Sequence, residues 1–353
     1  MQGSDTDHKA PSTRFQPIEK LLISARLRTL VHLARISARL TYGRLTGLGE
    51  FDWRVLDRIG DRNPITISEL ALRFALDKAQ VSRAVRRLRE LELVRQQRAR
   101  GAVGLTPKGQ QLFGHMQKVA LARNSMFTAG LNTTEQTLFL DILTRVYLNS
   151  EALLDDERSD GEERRRARAA WEVDEIRRWS RAGPIDSLII PRLLGVSRSM
   201  LRSMVPAYKR LTGLSDVEWT LLTWIAHHQP LQLTGLVQMA ERHKAHVGRV
   251  VRALADQQLI ERHKTPGKRE IRLTTTPKGE DLYRKLEKEA LRRNAIYLAG
   301  VTAEEQQRFQ AILDKLTENA ESMAAYEQAV ITTTSRYRRS EQAERENDPS
   351  DSA

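Results

Sequence analysis

A repeat within the chain limits the folds open to it. Leu45-Thr46-Gly47-Leu48 returns as Leu211-Thr212-Gly213-Leu214, and the same offset of 166 carries Trp53 to Trp219, Lys78-Ala79 to Lys244-Ala245, Arg83 to Arg249 and Arg86 to Arg252. Beyond Leu93 and Leu259 the offset becomes 170. It then holds from Thr106-Pro107-Lys108-Gly109 (Thr276-Pro277-Lys278-Gly279) through Arg123-Asn124 (Arg293-Asn294) to Ile142-Leu143 (Ile312-Leu313). A period of about 140 residues is far longer than a solenoid repeat and close to the size of one domain. The function has to be carried by two similar modules.

Composition narrows the class. At 353 residues, 40% hydrophobic and 29% charged, the chain can bury two ordinary cores without disulfides or metal. Lys and Arg outnumber Asp and Glu by 58 to 45, for a net charge of +13, and the pI is near 10.1. That balance favours a polyanionic partner, with nucleic acid first. The absence of cysteine removes disulfides, thiolate redox sensing and cysteine-ligated zinc. No apolar stretch approaches membrane-spanning length, and Met1 to Gln16 lacks a signal-peptide layout, so a cytoplasmic protein with no membrane partner is expected. No Gly-rich phosphate loop, nucleophile elbow or metalloprotease spacing is present, so neither enzyme activity nor a cofactor is expected. His243 and His246 lie three apart, with His227-His228 upstream. Their places beside a helix cap and on a polar helix face argue against a zinc site, and no metal is expected.

The periodicity between residues 17 and 330 is overwhelmingly helical. Each copy opens with a long helix, marked by Leu21, Leu22, Ala25, Leu27, Leu30 and Leu33 in the first and by Leu188, Ile189, Leu193, Leu194, Met200, Leu201 and Met204 in the second. Three shorter helices follow in copy one. The second starts at a Thr66/Glu69 capping box and the third has Asp77 as its cap. Leu93-Val94 and the basic stretch Arg95 to Val103 read as a β-hairpin, and Thr106-Pro107 opens a further helix. Each closing helix pair breaks once, at Ala129-Gly130 and at Ala299-Gly300. The expected fold is mainly α with small β-wings: two winged helix-turn-helix domains on a helical dimerisation-type base, with pseudo-two-fold symmetry inside one chain. The expected layout is a disordered tail at 1–16, a module at 17–160, a helical linker at 161–183, a module at 184–330 and a disordered tail at 331–353.

The chemistry lies on the helix after Asp77. With Val81, Ala84, Val85 and Leu88 turned inward, Lys78, Gln80, Ser82, Arg83, Arg86 and Arg87 line the outward side. Lys and Arg reach guanine edges or phosphates, and Gln and Ser pair with adenine or backbone oxygens. Copy two offers Lys244, His246, Arg249 and Arg252. There Ser82 has become Gly248, Glu69 has become Gly235 and Thr66 has become Gln232, which predicts a poorer reader of bases. The wings add Arg98 and Arg100 in copy one, and Lys264, Lys268 and Arg269 around Thr265-Pro266-Gly267 in copy two. A long basic tip suits the minor groove, whereas a short one reaches phosphates.

Three stretches carry a resemblance: Trp53-Arg54-Val55-Leu56, Asp77-Lys78-Ala79-Gln80-Val81-Ser82-Arg83-Ala84-Val85 and Leu105-Thr106-Pro107-Lys108-Gly109. Each copy resembles a module of the multiple antibiotic resistance regulator (MarR) family, over about residues 17–155 and, more loosely, 184–328. The resemblance implies a DNA-binding regulator whose first and last helices form a shared base beneath two winged domains, with many members releasing DNA on binding a small ligand. The family's Asp-x-Arg wing pattern survives here only as Gly267-Lys268-Arg269, and copy one lacks the segment.

Fusion of two such modules predicts a covalent pseudo-dimer, because a tether supplies a high effective concentration. Its two reading helices would enter successive major grooves about 34 Å apart on an imperfect palindrome. The partners expected are a double-stranded DNA operator and a small aromatic acid or phenolic effector. Candidate effector contacts are His32, Arg35, Tyr42 and Trp53, with Arg198, Arg202, Tyr208 and Trp219 in copy two. Two alternatives stay open: exchange of halves between two chains, and a helical adaptor whose second module binds a protein instead of DNA.

Overall fold

The computed structural model describes residues 21–74, 78–96, 101–156, 188–240, 244–264 and 270–346. The linker at 161–183, the cap Asp77, His243 and the wing-tip residues Arg98, Arg100, Lys268 and Arg269 lie outside the described residues.

Copy one comprises α1 (Ile23–Thr46), α2 (Glu50–Asp61), α3 (Ile67–Phe74), α4 (Lys78–Glu90), β1 (Val94–Gln96), β2 (Val103–Leu105), α5 (Pro107–Phe127) and α6 (Thr133–Asp156). Copy two repeats the order as α7 (Ile189–Thr212), α8 (Asp216–His228), β3 (Leu231–Gln232), α9 (Leu233–Ala240), α10 (Lys244–Asp256), β4 (Ile260–Lys264), β5 (Ile271–Thr275), α11 (Pro277–Tyr297) and α12 (Ala303–Glu346). The expected class, helical with small antiparallel wings, is the class observed.

The two compact units cut across the two copies. Of the described residues, one unit holds 27–144, 188–195 and 301–346, and the other holds 21–26, 145–156 and 196–300. The winged part of copy one therefore shares its unit with α12 of copy two, which packs on α5. The winged part of copy two shares its unit with the end of α6 from copy one. The closing helix α12 runs to Glu346, so residues 331–346 extend a helix where a tail is expected. From Arg336 onward that stretch is dominated by Arg and Glu, both good helix formers, and Pro appears only at 349.

In the copy-one unit the winged core is continuous. Val55, Leu56 and Ile59 of α2, Leu70 of α3, Val81, Ala84 and Leu88 of α4, and Val94 and Val103 of the wing are buried together. The wing is a two-stranded antiparallel ribbon pairing Val94 with Leu105 and Gln96 with Val103. In the other unit, five residue pairs join β4 to β5, from Ile260–Thr275 to Lys264–Ile271, and β3 adds a third strand in the order β3-β5-β4. The longer wing expected for copy two is thus built on longer strands.

The duplicated Thr-Pro-Lys-Gly has a steric explanation. Thr106 caps α5 by accepting from Gly109 N at 3.0 Å, and its own N donates to Leu93 O at 3.1 Å. That arrangement brings the wing's backbone onto the first helical turn. A Cβ on Gly109 would lie 1.9 Å from Leu93 O, and one on Gly279 would lie 1.9 Å from Leu259 O. Gly109→Ala is therefore expected to destabilise its unit by about 3 kcal/mol, since neither backbone can yield cheaply. Gly43→Ala, in the interior of α1 with nothing within 4 Å of the new carbon, is expected to stabilise by about 0.5–1 kcal/mol. Denaturant unfolding of both variants checks the pair.

Candidate nucleic-acid interface

The interface starts from the way α3 and α4 are held. The expected capping box closes α3: Thr66 N donates to Glu69 Oε2 at 2.8 Å and Glu69 N donates to Thr66 Oγ1 at 3.2 Å. Helix α4 then buries Val81, Ala84, Val85 and Leu88. Burial of that stripe turns Lys78, Gln80, Arg83 and Arg86 into solvent, with Ser82 half-buried beside them. Among the described residues, no ion pair engages Lys78, Arg83 or Arg86. Four polar side chains, three of them cationic, therefore project from one exposed helix face.

Arg87 differs from its neighbours. Its Nε donates to Asp52 Oδ2 at 2.9 Å while its Nη2 donates to Asp52 Oδ1, a two-pronged pair between α4 and α2. The hydrogen bonds to Asp52 push the guanidinium above its ordinary pKa. It braces α4 against α2. The pattern of outward positions could not tell a bracing arginine from a reading one.

Copy two keeps the frame and loses part of the chemistry. Val247, Val251 and Leu254 are buried on α10, and Val250 is half-buried. Lys244, Arg249 and Arg252 are exposed, but Arg252 Nε bends back to Gly248 O at 3.3 Å. The glycine leaves that carbonyl uncovered. His246, expected on the outward face, is half-buried, and its Nε2 is out of solvent with no hydrogen-bond partner among the described residues. The brace is gone as well, because Ala253 stands where Arg87 would and Glu218 caps α8 through Ser215 instead. In place of the Thr66 cap, Gln232 lies in β3 and donates to Glu270 at 2.7 Å. Lys264 is exposed at the end of β4.

The candidate effector residues separate into two groups. Tyr42 is buried in the copy-one core with Trp53 against it, ring centroids 4.4 Å apart. Tyr208 and Trp219 meet edge to face at 5.0 Å. The arginines expected beside them are committed elsewhere. Arg35 pairs with Glu50 at 2.8 Å and Arg202 with Glu151 at 2.8 Å, while His32 and Arg198 are exposed. The cations over the tyrosines are Arg123, 5.8 Å from the Tyr42 centroid, and Arg293, 5.9 Å from that of Tyr208. Arg123 donates to Ser37 Oγ, Thr41 Oγ1 and Ala34 O, which fixes its head inside the helical layer. The doubled Arg123-Asn124/Arg293-Asn294 dipeptide was the available signal. Trp53 Nε1 is buried without an acceptor among the described residues.

Asp57, one turn beyond Trp53 on α2, belongs to the same region. Burial pushes its carboxyl up to about 6 from an ordinary 3.8, against a smaller opposing pull from Arg58. Burial likewise pushes Tyr42 up to about 12. Because the folded state holds the Asp57 proton more tightly than the unfolded chain, its stabilising contribution is present below about pH 4 and is lost as pH rises through 6. Asp57→Asn is therefore expected to be near neutral at pH 4 and stabilising by about 2–3 kcal/mol at pH 8. Thermal or urea unfolding at the two pH values checks the sign.

MarR-family sequence models match residues 45–102 and 214–270, the winged part of each copy. Among solved structures, a MarR protein from Peptoclostridium difficile is 25% identical over 39% of this chain and 90% of its own, with a TM-score of 0.35. A putative MarR family transcriptional regulator from Listeria monocytogenes, solved with a 26mer DNA, is 25% identical over 39% and 92%, with a TM-score of 0.35. Staphylococcus aureus MarR, solved with salicylate and kanamycin, is 21% identical over 34% and 85%, with a TM-score of 0.31. No curated protein matches the chain. Among the described residues no helix is long and apolar enough to cross a membrane. With two family matches falling on the two copies of one helix-turn-helix and wing frame, the chain is a tandem MarR-family winged helix-turn-helix protein, a DNA-binding transcription regulator by family.

Proposed function

We propose that the protein represses transcription as a covalent pseudo-dimer, laying α4 and α10 on the two unequal halves of an imperfect palindrome. The observation that carries DNA binding is the exposed row of Lys78, Gln80, Arg83 and Arg86 on α4, uncommitted to carboxylates among the described residues. Cations held away from carboxylates remain available to phosphates and guanine edges. Inequality of the two halves is supported by Gly248, by the turned-in His246 and by the bent-back Arg252.

The pseudo-dimer is supported by contacts that recur in reciprocal form. Ile23 N donates to Asn294 Oδ1 at 2.8 Å and Ile189 N donates to Asn124 Oδ1 at 3.0 Å. Asn149 Nδ2 donates to the carbonyls of Tyr297 and Ala299, and Asn319 Nδ2 donates to those of Phe127 and Ala129. Phe139 stacks on its own equivalent, Phe309, with ring centroids 4.9 Å apart. Pairing of i with j, of j with i, and of one residue with its own counterpart is the signature of a two-fold, isologous association.

An aromatic acid or phenol is the effector class we favour. Trp53 Nε1 offers a donor beside the Tyr42 ring, with Arg123 supplying positive charge. Binding there would act on α2 and hence, through Asp52–Arg87, on α4.

Hydroxyl-radical footprinting on the protein's own promoter region is expected to protect two successive turns of duplex. Protection of one turn alone would favour the adaptor reading. Arg83→Ala is expected to weaken operator binding about tenfold to a hundredfold. Gly248→Ser, with open space around the new carbon, is expected to strengthen binding of the poorer half-site and to stabilise α10 by about 0.5 kcal/mol. Titration calorimetry of the Trp53→Phe variant against a panel of aromatic acids checks the effector; equal heats for variant and wild type would remove Trp53 from the site.

A further inference from the structure

The two closing helices use one template but not one set of residues. In the copy-two unit, α6 and α7 share a buried polar cluster. Ser150 Oγ and Ser199 Oγ are 2.6 Å apart, Ser199 Oγ donates to Glu151 Oε1, and Arg202 Nη2 donates to the same carboxylate oxygen at 2.8 Å. Ser150 and Ser199 are wholly buried and Glu151 is 7% exposed. Applying the repeat offsets to these four positions gives a different set. Leu33 and Ile36 stand at the places of Ser199 and Arg202, and Ala320 and Glu321 at those of Ser150 and Glu151. In its own unit Ala320 is wholly buried, whereas Glu321 is exposed.

We infer that Ser150, Glu151, Ser199 and Arg202 form a selectivity lock that makes the closing helix of copy one accept the opening helix of copy two and reject that of copy one. The partner recognised is the other half of the same chain. If copy one paired with itself, Leu33 and Ile36 would meet Ser150 and Glu151, leaving a buried carboxylate without its cation or its hydroxyl donor. Copy two paired with itself carries no such penalty, because Glu321 would meet Ser199 and Arg202. Penalising one of the two like pairings is enough, since each copy-two homodimer leaves two copy-one halves without any other partner. A single buried polar group that fixes who pairs with whom is a known device in helical association. This inference rests on the pseudo-dimer reading above.

The test uses the full chain, folded intact, with a protease site inserted between residues 161 and 183 and cut after folding. Native mass spectrometry then follows which halves remain together after dilution and re-equilibration. The wild-type halves are expected to stay as unlike pairs, with like pairs at least about tenfold below statistical proportion. The variant Ser150→Ala, Glu151→Leu, Ser199→Leu, Arg202→Ile replaces the lock with apolar contact on both sides. It is expected to stay folded and to raise copy-one homodimer toward statistical proportion. Should that variant not fold, Leu33→Ser with Ile36→Arg gives copy one the receiving residues and is expected to raise its homodimer in the same way. Wild-type halves that scramble statistically while remaining paired overturn the lock and leave the pseudo-dimer standing. Wild-type halves that separate into monomers, or an intact chain that runs as a dimer, overturn both.

Discussion

The end of α6 and the whole of α12 each belong to the unit that carries the other copy's wing. Phe309, Ile312, Leu313, Leu316, Ala320 and Met323 of α12 are buried, and α12 belongs with the copy-one winged core. Val146, Tyr147, Leu153 and Leu154 of α6 are buried, and that end of α6 belongs with copy two. Burial of so many large apolar side chains, each worth about 1.5–3 kcal/mol against exposure, makes an isolated copy an incomplete folding unit. The wings, α4, α10 and the aromatic clusters share their units with those exchanged helices.

The two copies agree most closely where a backbone contact fixes the residue. The Thr-Pro-Lys-Gly entry to α5 and α11 is unchanged because a backbone carbonyl sits 1.9 Å from where a Cβ would be at Gly109 and Gly279. The outward side of α4 meets no such restriction, and there Ser82 stands against Gly248 and the Asp52–Arg87 brace has no counterpart. The two modules thus agree at the entry to α5 and α11 and at Lys78/Lys244, Arg83/Arg249 and Arg86/Arg252, and differ at Ser82/Gly248 and at the Asp52–Arg87 brace.

Legibility followed the same line. Positions set by period and by local capping, such as Val81, Ala84, Val85 and Leu88 or the Thr66/Glu69 box, behave as their spacing implies. Those whose role depends on a neighbour distant in sequence did not. Arg87 meets Asp52, Arg35 meets Glu50 and Arg202 meets Glu151, so three arginines read as ligand or DNA contacts are already bound to carboxylates. Arg123 and Arg293 went unassigned because their tyrosines lie about eighty residues away along the chain. His246 shows the limit of helical-wheel reasoning, since a side chain at the edge of the polar arc can turn its ring inward.

From the order of residues alone came the twofold repeat, the helical class with wings, the exposed basic face of α4 and the family likeness, because these depend on periodicity, short-range capping and composition. The tertiary structure decided which copy covers which helix, which arginines are already spent on carboxylates, and how the four-residue cluster at Ser150 and Glu151 is assembled. Those outcomes depend on pairs from 15 positions apart upward, beyond the reach of one helical turn, and a sequence pattern carries no distance between such residues until the chain is packed.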